Sequence, residues 1–139
     1  MQAEPGTFFL DPRLAADTRP IADLPLCRLL LMNDARWPWV ILVPRREKLV
    51  ELFDMTAEDR TRLFEEANAA ARALADFTRA EKINIGTLGN MVRQLHVHVV
   101  ARSTGDPNWH RPNWGFETAR PYAPGEADAL TARMQDLAV

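Results

Sequence analysis

The chain has 139 residues, 26% of them charged and 47% hydrophobic, which is enough for one domain to bury a core without disulfides or a structural metal. A formal net charge of −2 leaves no basic excess to hold a nucleic-acid backbone or an anionic membrane, so stable nucleic-acid binding is not expected. The single cysteine, Cys27, has no internal partner and sits among leucines, which fits a buried thiol in a reducing, cytoplasmic setting.

No basic start followed by an apolar run, and no apolar stretch of membrane-spanning length, is present, so neither export nor membrane insertion is expected. Residues 8–10 and 24–26 are short apolar pieces punctuated by Pro12, Pro20 and Pro25, and read as short strands or turns. Residues 27–32 are continuously apolar apart from Arg28, and residues 40–43 resume the run after turn chemistry at Asn33, Asp34 and Ala35. Two antiparallel strands are the simplest account, with Pro44 ending the second because it offers no ladder donor. A short amphipathic piece over residues 48–53 follows. Thr56 then stands at an N-cap position with Glu58 and Asp59 in the first turn, and Leu63, Ala67, Ala70, Leu74 and Phe77 recur on one helical face as far as Thr78. The alanines allow close approach to a sheet or to another helix.

Ile83, Ile85 and Leu88 suggest a strand, interrupted by Gly86, Gly89 and Asn90, and residues 92–102 read as a second, unusually long one. Residues 106–124, rich in Pro, Asn, Gly and Trp, form an irregular loop, and Ala127, Leu130, Met134 and Leu137 space a terminal helix over residues 126–137. The order strand, strand, helix, strand, strand describes a single α+β domain over residues 1–139 with a mainly antiparallel sheet.

All three histidines, His96, His98 and His110, lie in one short window. On an extended strand Gln94, His96 and His98 share one face, while Leu95, Val97 and Val99 face the core. Such a pair can be filler satisfied by hydrogen bonds, can chelate a metal if further ligands converge, or can supply a general acid and base. It can also attack phosphorus through one neutral imidazole while the second donates to phosphate oxygens. The nearby carboxylates and His110 have no recognised ligand spacing, so no metal and no cofactor is expected. Trp37, Trp39, Trp109 and Trp114 serve either core and dimer packing or base stacking, and Arg36, Arg93, Arg102 and Arg111 either solvate the surface or pair with phosphates. His110 is read as incidental.

The segment Gly89-Asn90-Met91-Val92-Arg93-Gln94-Leu95-His96-Val97-His98-Val99-Val100-Ala101-Arg102 resembles the signature of the histidine-triad (HIT) family, three histidines alternating with apolar residues after a Gly-Gln-[Ser/Thr]-Val segment. The resemblance extends back through the long helix and Leu42-Val43-Pro44 to Asn33. It implies a small α+β domain that pairs as a homodimer. The implied activity is hydrolysis or transfer of a nucleoside monophosphate from a phosphoramidate or dinucleoside polyphosphate. By the same resemblance His96 is the nucleophile, His98 contacts the scissile phosphate or leaving group, Asn33 meets ribose hydroxyls, and Asn84 and Asn90 lie beside the phosphates.

The chain also departs from the pattern. Gln94 replaces the first triad histidine, Trp39 a fourth family histidine five residues before Pro44, and Met91 the Ser/Thr. Glutamine reproduces hydrogen bonds without carrying charge. These changes leave a second reading beside the enzyme, a nucleotide-binding or regulatory module with little turnover.

Overall fold

The computed structural model describes residues 8–139. A short helix α1 (Pro12–Asp17) runs directly into β1 (Thr18–Asp23), followed by β2 (Cys27–Met32), β3 (Trp39–Pro44), the long helix α2 (Ala57–Thr78), β4 (Lys82–Gly86), β5 (Val97–Arg102) and α3 (Asp128–Gln135). The five strands form one sheet in the order β1-β2-β3-β5-β4, with every neighbouring pair antiparallel. The α+β expectation, with one long helix and a C-terminal helix, therefore holds. Among the described residues no helix is long and apolar enough to cross a membrane.

Of the short strands or turns expected near the N-terminus, the turn at residues 24–26 is present, and the rest changes. Residues 8–10 form no strand and residues 24–26 form the β1–β2 turn, while the proline-rich stretch between them holds α1 and β1. The prolines do not break these elements. Pro12 occupies the first turn of α1, where its missing N–H is not needed, and Pro20 sits in an edge strand beside a bulge between Pro20 and Ala22. A third correction falls on the second histidine-bearing stretch, where β5 covers only Val97–Arg102 instead of residues 92–102. A strand needs ladder partners, and those of β5 end at Leu42 opposite Val97 and Gly86 opposite His98. Before Val97 the chain has left the sheet, and Leu95 N donates to Leu49 O at 2.9 Å, outside either neighbouring strand. The piece over residues 48–53 becomes a single 3₁₀ turn at Leu52–Asp54.

Alternation splits the sheet into two apolar layers. Leu29, Leu31, Val40, Leu42, Val97, Val99 and Ala101 meet Leu63, Ala67, Ala70 and Leu74 of α2 and Leu130 and Met134 of α3. Leu30, Trp39, Ile41, Val43 and Val100 face the other way and are covered by Phe8, Leu14 and Trp37. Because both sides are covered, β3 and β5 are buried along their whole length.

Helix α2 begins as its sequence implies, Thr56 Oγ1 accepting from Asp59 N at 3.1 Å, and ends at Arg79 in the left-handed region. Phe77, expected on its buried face, is 43% exposed, since the face turns to solvent beyond Leu74. Glu66 fixes the helix to the sheet. Its carboxylate, 1% exposed, accepts from Leu26 N and Cys27 N at 2.8 Å each. Burial foremost, and then the Glu66 carboxylate, pushes the Cys27 thiol well above its usual range, so it stays protonated and inert.

Candidate active site

His98 lies in β5 between Ile41 of β3 and Gly86 of β4, on the layer opposite α2, and His96 stands just before the strand begins. The two rings are 4.9 Å apart between centroids at 69°, and both residues are buried, at 4% and 5% exposure. Their hydrogen bonds set opposite tautomers. His96 Nδ1 lies 2.6 Å from Gln94 O, and since a carbonyl only accepts, Nδ1 carries a proton, which in the neutral ring leaves the lone pair on Nε2. Trp39 Nε1 donates to His98 Nδ1 at 3.0 Å, and since an indole only donates, the proton of His98 is on Nε2. One imidazole thus offers a lone pair and its neighbour an N–H. Burial, and then the adjacent His96, hold the His98 pKa down to about 3, so this N–H belongs to a neutral ring at physiological pH.

Trp39, 7% exposed, links the histidines to a cleft of about 410 Å³. Met32, Asn33, Asp34 and Trp39 form one side of the cleft, Ala16 and Asp17 of α1 another, and Asn113 and Phe116 of the long loop a third. Asn33 is held in place by its own side chain, whose Oδ1 accepts from Tyr122 N at 3.0 Å and leaves its NH₂ as a donor. Burial raises the Asp34 pKa, but hydrogen bonds from Arg36 and from the backbone of Arg36 and Arg120 outweigh it and keep the carboxyl below its usual range. The Arg36 guanidinium, paired with Asp34 at 2.8 Å, stacks 4.4 Å from the Trp37 ring. The combination of a flat aromatic and guanidinium lining with a few fixed amides suits a heterocycle carrying hydroxyls.

The remaining expected site residues are dispersed. Gln94 is not on the strand face with the histidines; its side chain reaches the N-terminal segment, accepting from Asp11 N and donating to Phe9 O. Asn90 and Arg93 line a second cleft with Gln94 and Glu51. Asn84 points to the same side of the sheet as His98, but lines a third cleft with Lys82, His110 and Arg111. Trp114 stands between, 5.3 Å from the His98 ring by centroids and packed on Gly86, where a Cβ would come within 2.8 Å of its ring. Arg102, 1% exposed, is consumed by Asp106 at 2.8 Å and by the carbonyls of Pro107 and Arg111, which shape the loop. Trp37 is core, with its Nε1 donating to Pro107 O. Met91 is 80% exposed.

Among the described residues no group of three or more His, Cys, Asp or Glu side chains converges as a metal site would require. Sequence reasoning did not find Asn113, Phe116 or α1 as walls of the cleft, since partners as distant as Asn33 and Tyr122 meet only through the fold.

No curated protein matches the chain. Solved structures do. A histidine triad protein from Sinorhizobium meliloti 1021 is 51% identical, with a TM-score of 0.94 over 97% of this chain and 100% of that one. Histidine triad proteins from Bradyrhizobium japonicum and Marinobacter aquaeolei VT8 are each 41% identical over 92% of this chain, covering 96% and 93% of theirs with TM-scores of 0.90 and 0.89. The HIT domain itself matches residues 13–105, a span that includes both tautomer-fixed histidines, Trp39 and most of α1, and the chain therefore belongs to the HIT domain family.

Proposed function

We propose that the protein is a nucleotide hydrolase or nucleotidyltransferase that acts on a nucleoside phosphoramidate or dinucleoside polyphosphate through a nucleotidyl-histidine at His96. The observation that carries this reading is the pair of opposite tautomers fixed by Gln94 O and Trp39 Nε1. The Nε2 lone pair of His96 forms a bond to phosphorus, and the bond from phosphorus to the leaving nitrogen or oxygen breaks with its electron pair going to that atom, a leaving nitrogen taking up a proton from solvent. A water or an acceptor hydroxyl then attacks the same phosphorus and gives its proton to solvent, while the bond from phosphorus to Nε2 breaks with its electron pair returning to His96. His98, through Nε2–H, donates to a phosphoryl oxygen as charge builds there. Asn33 and Trp39 hold the nucleoside in the cleft, and Asn84 and Asn90 are assigned to the phosphate and leaving-group side. Gln94 takes the sequence place of the first triad histidine and serves His96 through its main-chain carbonyl, and Trp39 takes the place of the fourth family histidine.

Incubation with adenosine phosphoramidate and with diadenosine polyphosphates, followed by intact-protein mass spectrometry, tests the reading. Turnover and an adenylyl adduct in the wild type, both lost in His96→Ala, are expected. Turnover of neither substrate above the His96→Ala background sinks it.

A second reading, a nucleotide-binding module with little turnover, is supported by the 4% and 5% exposure of the two histidines, which narrows the approach of a phosphate. Calorimetric titration with AMP and GMP separates the two: binding without adduct or turnover favours the module. We further propose a cytoplasmic homodimer. Ile85 and Leu88, on and just after the edge strand β4, are 49% and 46% exposed and offer apolar surface to a second copy. Sedimentation velocity reads the state directly.

A further inference from the structure

Gln94 is the junction of two backbone connections. Its side-chain Oε1 accepts from Asp11 N at 2.8 Å and its Nε2 donates to Phe9 O at 2.9 Å, so the carboxamide bridges Leu10 as a residue of a parallel strand would. Its main-chain carbonyl is the acceptor that fixes the tautomer of His96. Asp11 in turn caps α1, its Oδ1 accepting from Arg13 N at 2.8 Å. At the other end of α1, Ala16 and Asp17 form a wall of the cleft, and Asp17 O accepts from Asn33 N at 3.0 Å. Hydrogen bonds, joined by the covalent chain between them, therefore connect the carbonyl behind His96 to the cleft wall, through the Gln94 side chain, residues 9–11 and α1.

We propose that Gln94 is a positioning residue that clamps residues 9–11, so that α1 is held as a wall of the nucleotide cleft while the same residue orients His96. The proposal rests on the assignment of cleft and nucleophile given above. A carboxamide suits the task because it presents an acceptor and a donor side by side and does not titrate. The clamp acts on the cleft wall, so its loss falls on substrate affinity and on the order of residues 9–17 more than on the chemical step.

Three readouts on Gln94→Ala test it: amide exchange across residues 10–17, calorimetric affinity for AMP, and kcat and KM with their pH profiles. Loss of both clamping hydrogen bonds predicts a rise of about tenfold in the AMP Kd and in KM, exchange faster by about the same factor at Asp11 and through α1, and kcat within about threefold with an unaltered pH profile, since the main-chain carbonyl that meets His96 is kept. Gln94→Glu keeps the acceptor for Asp11 N but sets a carboxylate against Phe9 O. Its AMP affinity should be weakened at neutral pH and regained, relative to wild type, as the carboxyl becomes protonated and donates to that carbonyl. Unchanged exchange in Gln94→Ala would refute the clamp, and faster exchange with unaltered AMP affinity would refute its coupling to the cleft. A fall in kcat with a displaced pH profile would instead place Gln94 among the reacting groups. Should the wild type neither bind AMP nor turn over either substrate, the nucleotide reading fails and the coupling with it, while the exchange data still decide the clamp.

Discussion

Replacing Trp39 by phenylalanine removes one N–H and part of one ring from the centre of the site, and the consequences separate cleanly. Nδ1 of His98 loses its only hydrogen-bond partner among the described residues, in a residue that is 5% exposed. An orphaned buried acceptor costs about 1–3 kcal/mol. The smaller ring also gives up packing against Trp37, whose centroid is 6.2 Å away, and against the His98 ring at 5.6 Å, for about 1 kcal/mol more. Together these predict a loss of about 2–4 kcal/mol, read as a lower urea midpoint at unchanged m-value.

The second consequence is electrostatic. Burial is the larger cause of the low His98 pKa and is nearly unchanged by the substitution. The indole N–H, however, favours the form with a bare Nδ1, and its removal should raise the pH at which His98 titrates by about one. Nitrogen NMR of the imidazoles measures both effects: the wild type should hold His98 with its proton on Nε2, and Trp39→Phe should mix the tautomers. A wild-type His98 protonated on Nδ1, or a Trp39→Phe variant with unchanged tautomer and stability, would refute the argument that the indole sets the polarity of the pair.

Three further outcomes follow from the same structure. Because the folded His98 pKa lies near 3 and the unfolded value near 6.5, the unfolded chain binds more protons between them, so His98 contributes stability above about pH 6.5 that is lost as pH falls toward 3. At about pH 5 this loss amounts to about 2 kcal/mol relative to about pH 7.5, and a pH dependence of unfolding identical in wild type and His98→Gln would contradict it. Glu66→Ala strands the N–H groups of Leu26 and Cys27 in the core and should destabilise by about 2–5 kcal/mol in urea denaturation, whereas a loss below about 1 kcal/mol would mean the two amides find other partners. Gly86→Ala places a methyl 2.8 Å from the Trp114 ring, and the displaced indole should cost about 1–3 kcal/mol and alter the tryptophan fluorescence; an unchanged spectrum and melting temperature would count against the packing described.

The apolar runs of β2 and β3, the alternation of β5, the N-cap of α2 and its face as far as Leu74, and the adjacency of His96 and His98 were legible in the chain, because period and capping are local properties. The same local reasoning failed for α1 and β1. Proline punctuation excludes a central strand and the middle of a helix, yet only the sheet order decides whether a given strand lies at an edge. It also overextended β5, since only the fold shows that Leu95 N turns to Leu49 O and leaves the ladders that β5 makes with β3 and β4.

At the site the division is sharper. The sequence by itself determined which residues carry imidazole, amide and indole groups, and, through their spacing, that two imidazoles are neighbours. Only the tertiary structure decided which partner each group meets. The tautomer of His98 depends on Trp39, 59 positions away in the chain, and the role of Gln94 on Phe9 and Asp11, 85 and 83 positions away. A hydrogen bond requires a partner within about 3 Å, and contacts between such distant residues are made by strand order and loop closure, which no local pattern encodes.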